Sequence, residues 1–246
     1  MTKALDSLSA MAYPGRVVII GREPGNGRVI VIYAITGRSP SSQARMLEWG
    51  DDGVWVRPTD EDVLRKGNID LLVYPAVLHF DGGIAVSNGK QTAAIRRGLE
   101  AGRGGAAAVL ATALASWDYE PDAPIFTPRI SGCVLPGPEA ALSLIKRGRD
   151  GASLKRYYDV PLKPGRGKLL STYDGVNRDP LQSFVGDPLD VEIESGDPGR
   201  LAKSVYEAMA PADPTKDFRV GVACIAAGDI AANRPEIAVV NRHERT

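Results

Sequence analysis

Two short apolar runs, Arg16-Val-Val-Ile-Ile-Gly21 and Arg28-Val-Ile-Val-Ile-Tyr-Ala-Ile35, stand on either side of Arg22-Glu-Pro-Gly-Asn-Gly27. Each run is β-branched and too short for a buried helix, and the residues between them are turn formers, so the pair predicts an antiparallel hairpin. That hairpin restricts everything downstream. A dinucleotide-binding fold alternates strands with helices and carries a G-x-G-x-x-G turn, and neither is present here. The glycines of the turn do not make a phosphate loop either, because no Gly-Lys-Ser/Thr ending and no helical pattern follow them.

Further strands are predicted at Val54–Pro58, Ile69–Phe80, Ile84–Ser87, Arg129–Leu135, Ser153–Leu162, Lys168–Tyr173, Asp190–Glu194, Arg219–Ala227 and Glu236–Val240. Pro75 argues against an uninterrupted central strand in the second of these. Residues Ala140–Arg147 fit helix or strand on pattern alone. Helices are expected at Lys90–Ala101 and Ala106–Ser116, joined by Gly102-Arg-Gly-Gly105, and at Pro198–Met209, with Asp197 placed to cap it. Many strands with three helices predict an α/β (α+β) domain of mainly antiparallel sheets covered by helices. A single domain spanning 1–246 is expected, with 1–12 and 241–246 as flexible termini.

Composition removes several function classes. Thirty basic and thirty acidic side chains balance, and no basic stripe marks a nucleic-acid surface. Cys133 and Cys224 are far apart and lack metal or redox spacing, and two histidines are too few for a histidine-rich metal centre. No metal and no cofactor is therefore expected. No apolar run approaches membrane-spanning length, and the first residues make a poor signal peptide. A cytoplasmic location, no membrane partner and no nucleic-acid partner are the expectations. A homo-oligomer is compatible with the sequence.

Chemistry gathers where apolar segments give way to polar ones. Arg38 and Ser39 follow the second strand directly, in Thr36-Gly-Arg-Ser-Pro-Ser-Ser-Gln-Ala-Arg45. The arginine offers a planar charged fork for phosphate or carboxylate, and the serine a rotatable donor. An ordinary polar loop would look the same. Tyr74 lies in a strand, where a tyrosine is most often a core residue with its hydroxyl satisfied. Asp118-Tyr-Glu-Pro-Asp122, Thr127-Pro-Arg129 and Thr172-Tyr-Asp-Gly-Val-Asn177 supply Glu120, Asp122, Arg129, Tyr173 and Asp174. Turn caps and a structural ion pair are the alternatives for these. Together, arginine, tyrosine, acid and hydroxyl groups can bind an anion and move protons without a metal.

Five motifs in order carry a family resemblance: Tyr13-Pro-Gly-Arg16, Gly37-Arg-Ser39 with Gln43-Ala-Arg45, Thr127-Pro-Arg-Ile-Ser-Gly132, Thr172-Tyr-Asp-Gly175 and Pro180-Leu-Gln-Ser-Phe-Val-Gly186. Over about residues 12 to 240 the chain resembles the archaeal-type IMP cyclohydrolases. It departs from that pattern at Pro14, at Phe126 (asparagine in the pattern) and at Asp174. The resemblance implies a four-layer αββα sandwich similar to the amino-terminal-nucleophile (Ntn) hydrolases. It also implies closure of 5-formamidoimidazole-4-carboxamide ribotide to IMP in purine biosynthesis, with a purine ribonucleotide as small-molecule partner. By analogy Arg38 would meet phosphate or developing oxyanion charge, and Tyr74 and Glu120 would move protons. Ser39, Arg129 and Asp122 would orient the nucleotide, and Tyr173 and Asp174 would contact base or ribose. Thr2, separated from the first strand by about ten residues, is a poor nucleophile because a nucleophile must be held in place. An amide hydrolase of the same fold and a non-catalytic purine-nucleotide-binding protein remain the alternatives.

Overall fold

A computed structural model describes residues 5–25, 27–59, 73–231 and 234–243. The predicted hairpin is present as β1 (Arg16–Arg22) and β2 (Val29–Thr36), paired antiparallel from Arg16 opposite Ile35 to Arg22 opposite Val29. A helical turn α2 (Pro40–Gln43) follows, and then β3 (Arg45–Gly50), β4 (Gly53–Pro58), β5 (Tyr74–Phe80) and β6 (Gly83–Ser87). No strand is predicted over residues 46–50, yet β3 is present there. Its Arg-Met-Leu-Glu-Trp-Gly sequence lacks the β-branched signature, and it is a strand because it pairs along its length with β4.

Helices α3 (Gln91–Glu100) and α4 (Ala106–Ala113) come next, then β7 (Arg129–Leu135), β8 (Glu139–Arg147), β9 (Ser153–Val160), β10 (Arg166–Ser171) and β11 (Leu189–Glu192). The ambiguous segment at 140–147 is strand, paired on both sides. Helix α5 (Pro198–Ala208), capped by the Asp197 carboxylate accepting from the Arg200 N–H at 3.0 Å, precedes β12 (Arg219–Ala227) and β13 (Glu236–Asn241). Before the first strand, a helical turn α1 (Asp6–Ser9) buries Leu8 fully. Thr2 and residues 69–72 of the predicted long strand lie outside the described residues.

The strands form two antiparallel sheets, six strands in the order β11-β10-β1-β2-β12-β13 and seven in the order β3-β4-β5-β6-β7-β8-β9. The principal apolar core draws Val18, Ile20 and Val31 from the first sheet and Val54, Val86 and Leu142 from the second, so the two sheets share it. On the other face of the six-stranded sheet, Val17, Ile19 and Ile32 meet Leu201 and Val205 of α5. On the other face of the seven-stranded sheet, Ala85 and Cys133 meet Ile95 of α3 and Leu110 of α4. The fold is thus mixed α/β, with two antiparallel sheets and few helices.

One irregularity matters for the site. β4 and β5 pair Val54 with Val77 but Trp55 with Pro75 and Val56 with Tyr74, leaving Ala76 as an extra residue. Cross-strand partners face the same side, so this bulge puts Tyr74 beside Val56 in the inter-sheet core instead of facing away. Pro75, which cannot donate to a ladder, sits at that break.

The sheets are also tied by polar bonds. The Asn241 carboxamide, on β13, accepts from the Leu47 N–H at 2.8 Å and donates to the Leu47 C=O at 2.9 Å, on the edge strand of the opposite sheet. Asn241→Ala orphans both backbone groups and is expected to lower stability by about 1–3 kcal/mol in urea unfolding.

Candidate functional site

Several strands begin or end at one end of the sandwich: β1 begins at Arg16, β2 ends at Thr36, β3 begins at Arg45, β5 at Tyr74 and β7 at Arg129, and β10 ends at Ser171. Alternation fixes where the first residues point. Val18 and Ile20 face the inter-sheet core, as does Leu47, so Arg16 and Arg45 share that side of their strands. The result is a cluster of charged and phenolic groups at the edge of an otherwise apolar core.

Arg45 has no exposed surface. Its Nε donates to the Ser42 C=O at 2.8 Å, and its two terminal nitrogens are buried without a hydrogen-bond partner. Arg16 Nε is likewise buried and unpartnered. Burial, reinforced by the charge of Arg16, pushes the Arg45 guanidinium down to about 10. Between the sheets the hydroxyls of Tyr33 (β2) and Tyr74 (β5) lie 2.6 Å apart. Burial, with Tyr74 alongside, raises the Tyr33 phenol above its ordinary range. Two hydroxyls sharing one hydrogen bond leave one O–H free to donate elsewhere.

Glu120 and Arg129 form a close pair, 2.6 Å from Oε1 to Nη1, and that nitrogen also donates to Gln91 Oε1 at 3.0 Å. Arg129 Nε donates to the Asp118 C=O at 2.7 Å, and its guanidinium covers the Trp117 ring. The other Glu120 oxygen is buried and unpartnered. Burial raises the Glu120 carboxyl and lowers Arg129, while Arg129 and Arg16 oppose the rise at Glu120.

The segment 120–127 closes on itself through Glu120 N–H to Thr127 C=O at 2.9 Å. Phe126 within it has φ of 50°, the left-handed region a phenylalanine seldom occupies and asparagine enters more readily. Its ring lies under Arg147 and against the edge of Tyr119. Tyr173 is buried, stacked on Tyr13, and its hydroxyl lies 2.9 Å from Thr127 Oγ1. Gly15 makes room for it: a Cβ there would stand 2.6 Å from the tyrosine ring.

The candidate residues thus divide. Tyr74, Glu120, Arg129, Asp122 and Tyr173 surround the buried cluster. Arg38 lies at its rim, donating to Asn177 Oδ1 at 3.2 Å and to the Arg178 C=O at 3.0 Å, with its guanidinium 5.3 Å from the Tyr13 ring centre. Ser39 is exposed and caps α2, accepting from the Ser42 N–H at 3.2 Å. Asp174 pairs with Arg178. Arg16, Arg45, Tyr33 and Thr127 were not among the candidates. Arg16 and Arg45 open their strands and stand as the last residues of two of the five motifs, which is the signal that marks them in the sequence.

An unneutralised buried cation costs several kcal/mol. Arg45→Met should therefore raise the stability of the ligand-free protein by about 1–3 kcal/mol. In thermal unfolding, millimolar inorganic phosphate should stabilise the wild type and leave the variant unmoved.

No helix among the described residues is long and apolar enough to cross a membrane. Comparison with curated proteins returns no match. A family profile described as IMP cyclohydrolase-like protein matches residues 13–227, a span holding both buried arginines, both core tyrosines, Glu120 and Tyr173. The chain belongs to the IMP cyclohydrolase-like protein family, and that membership supports IMP cyclohydrolase function in purine biosynthesis.

Proposed function

We propose that the cluster at the end of the two sheets closes the formamido ribotide to IMP as a cofactor-independent hydrolase acting on cyclic amidines. The observation that carries this reading is the pair of buried guanidinium groups with unpartnered nitrogens, beside a tyrosine pair and a carboxyl with a free oxygen. Ring closure asks for that set. The carboxamide nitrogen attacks the formyl carbon, negative charge develops on the formyl oxygen, one proton leaves the carboxamide nitrogen and one the formamido nitrogen, and the departing oxygen takes up both as water.

Arg45 and Arg16 supply positive charge that the anionic nucleotide completes, with Arg16 placed for the developing oxyanion. The free O–H of the Tyr33–Tyr74 pair donates to the same oxygen. Glu120 takes the carboxamide proton through its unpartnered oxygen and returns it to the leaving oxygen, which receives its second proton from the formamido nitrogen, while Arg129 holds the carboxyl in place. Tyr173 meets the nucleotide. Arg38, Ser39 and Asp174 belong to the rim. Holding the two arms of the substrate together supplies much of the acceleration. The separate apolar layers under α3, α4 and α5 support a four-layer αββα arrangement of the Ntn-hydrolase-like kind, formed from one domain. A purine ribonucleotide as partner and a cytoplasmic location go with this reading.

Purified, chelator-treated protein incubated with the formylated ribotide should form IMP, followed by absorbance and chromatography. Arg16→Ala and Arg45→Met should abolish it. IMP binding without turnover would leave the nucleotide-binding alternative. Glu120→Gln should cut kcat by about 100- to 10,000-fold. As a base, Glu120 works ionised, so wild-type kcat/KM should fall as pH drops through its carboxyl titration. Burial places that limb above the ordinary glutamate range, and the limb should vanish in Glu120→Gln.

A further inference from the structure

Asp122 lies beside the candidate site, yet its carboxylate is engaged by one neighbouring residue. Oδ1 accepts from the Thr127 N–H at 2.6 Å, and Oδ2 takes the Thr127 hydroxyl at 2.5 Å. The Asp122 backbone C=O also accepts from the N–H groups of Ile125 and Phe126, at 3.0 and 3.2 Å. This turn holds Phe126 in its left-handed conformation, the single non-glycine residue with positive φ among the described residues. Backbone strain of this kind persists where surrounding bonds over-determine it, and it gathers at functional sites.

The hydrogens can be assigned from donor and acceptor capacity alone. A carboxylate only accepts, and a threonine has one O–H. The Thr127 proton therefore points to Asp122. The contact of 2.9 Å between Thr127 Oγ1 and the Tyr173 hydroxyl then has one polarity, with Tyr173 donating. The phenol has spent its only proton and offers only lone pairs to its surroundings. Gly15, Tyr13 and Leu181 hold its ring in place, so it cannot turn to another partner.

We propose that Asp122 and Thr127 are positioning residues that fix Tyr173 as a hydrogen-bond acceptor toward the nucleotide, selecting an N–H or O–H donor on it. This rests on the reading that the cluster binds a purine ribonucleotide. Asp122 then acts through Thr127 instead of touching the ligand.

Asp122→Asn tests the polarity with almost no change of shape. Its carboxamide oxygen still accepts the Thr127 N–H, but its nitrogen donates to Thr127 Oγ1. The threonine proton then swings to Tyr173 and the phenol proton swings into the site. Asp122→Asn, Thr127→Val and Tyr173→Phe should each raise KM for the formylated ribotide, and Kd for IMP by calorimetry, about 3- to 10-fold. In Asp122→Asn and Thr127→Val the loss should fall on KM more than on kcat. Asp122→Asn combined with Tyr173→Phe should be no worse than the poorer single variant, and Thr127→Ser should restore wild-type values.

Wild-type KM and Kd in Asp122→Asn, when Tyr173→Phe is impaired, would overturn the proposal. So would additive losses in the double variant, or failure of Thr127→Ser to rescue. Calorimetry with IMP keeps this separate from catalysis: a wild type that binds IMP without forming it sinks the cyclohydrolase reading and leaves the polarity testable. A wild type that does neither removes the nucleotide reading and this proposal together.

Discussion

Two positive charges lie between the sheets at one end of this protein with no carboxylate bonded to either among the described residues, and the rest of the site is arranged around that imbalance. Arg45 is enclosed completely, with two nitrogens unsatisfied, and Arg16 is close enough to depress its basicity. The buried carboxyl of Glu120, which feels the charge of Arg16, is held by Arg129 instead. An apolar core does not tolerate such groups without cause, because desolvation is not repaid until an anion arrives. The remainder of the sandwich, with three apolar clusters on its sheet faces, supplies the stability against which this local cost is set.

The neighbours of the arginines are chosen for neutrality and for hydrogen-bond direction. Tyrosine hydroxyls line the cluster from both sheets and bring hydrogen-bonding capacity to it. The Glu120 carboxyl, with its free oxygen, is biased toward holding a proton by burial and toward releasing it by two guanidinium groups. Opposed influences of that kind keep a group able to change state within one reaction cycle. The Ala76 bulge belongs to the same arrangement, since it turns Tyr74 toward Tyr33 instead of away from it.

Much of the fold was legible because the opening hairpin, the capped helix α5 and the β-branched strands carry strong local signals. β3 was not, because a strand rich in Met, Leu and Trp is specified by its partner β4 more than by its own residues. The site was legible in part. Tyr74, Glu120, Arg129 and Tyr173 stand at breaks between apolar and polar segments, and the structure gathers them. Arg38 and Ser39 carried the clearest loop signature, yet they sit at the rim and at a helix cap. Arg16 and Arg45 open strands, where a charged residue reads as an ordinary boundary. Their significance depends on which face they share across two sheets, which no local pattern contains.

The strand orders of the two sheets have a consequence for assembly. The seven-stranded sheet runs β3 to β9 in unbroken order, each strand beside its predecessor, so it can grow as a chain of local pairings. The six-stranded sheet sets β1 and β2 between β10 and β12, partners more than a hundred residues away. Distant pairings carry the loop-closure cost that slows folding. The early hairpin bearing Arg16 and Tyr33 must therefore wait for the late strands that flank it, while the meander bearing Arg45 and Tyr74 can already be in place. Both arginines come together only when the two sheets dock, so the electrostatic burden of the site falls on the last step of folding and spares the earlier ones.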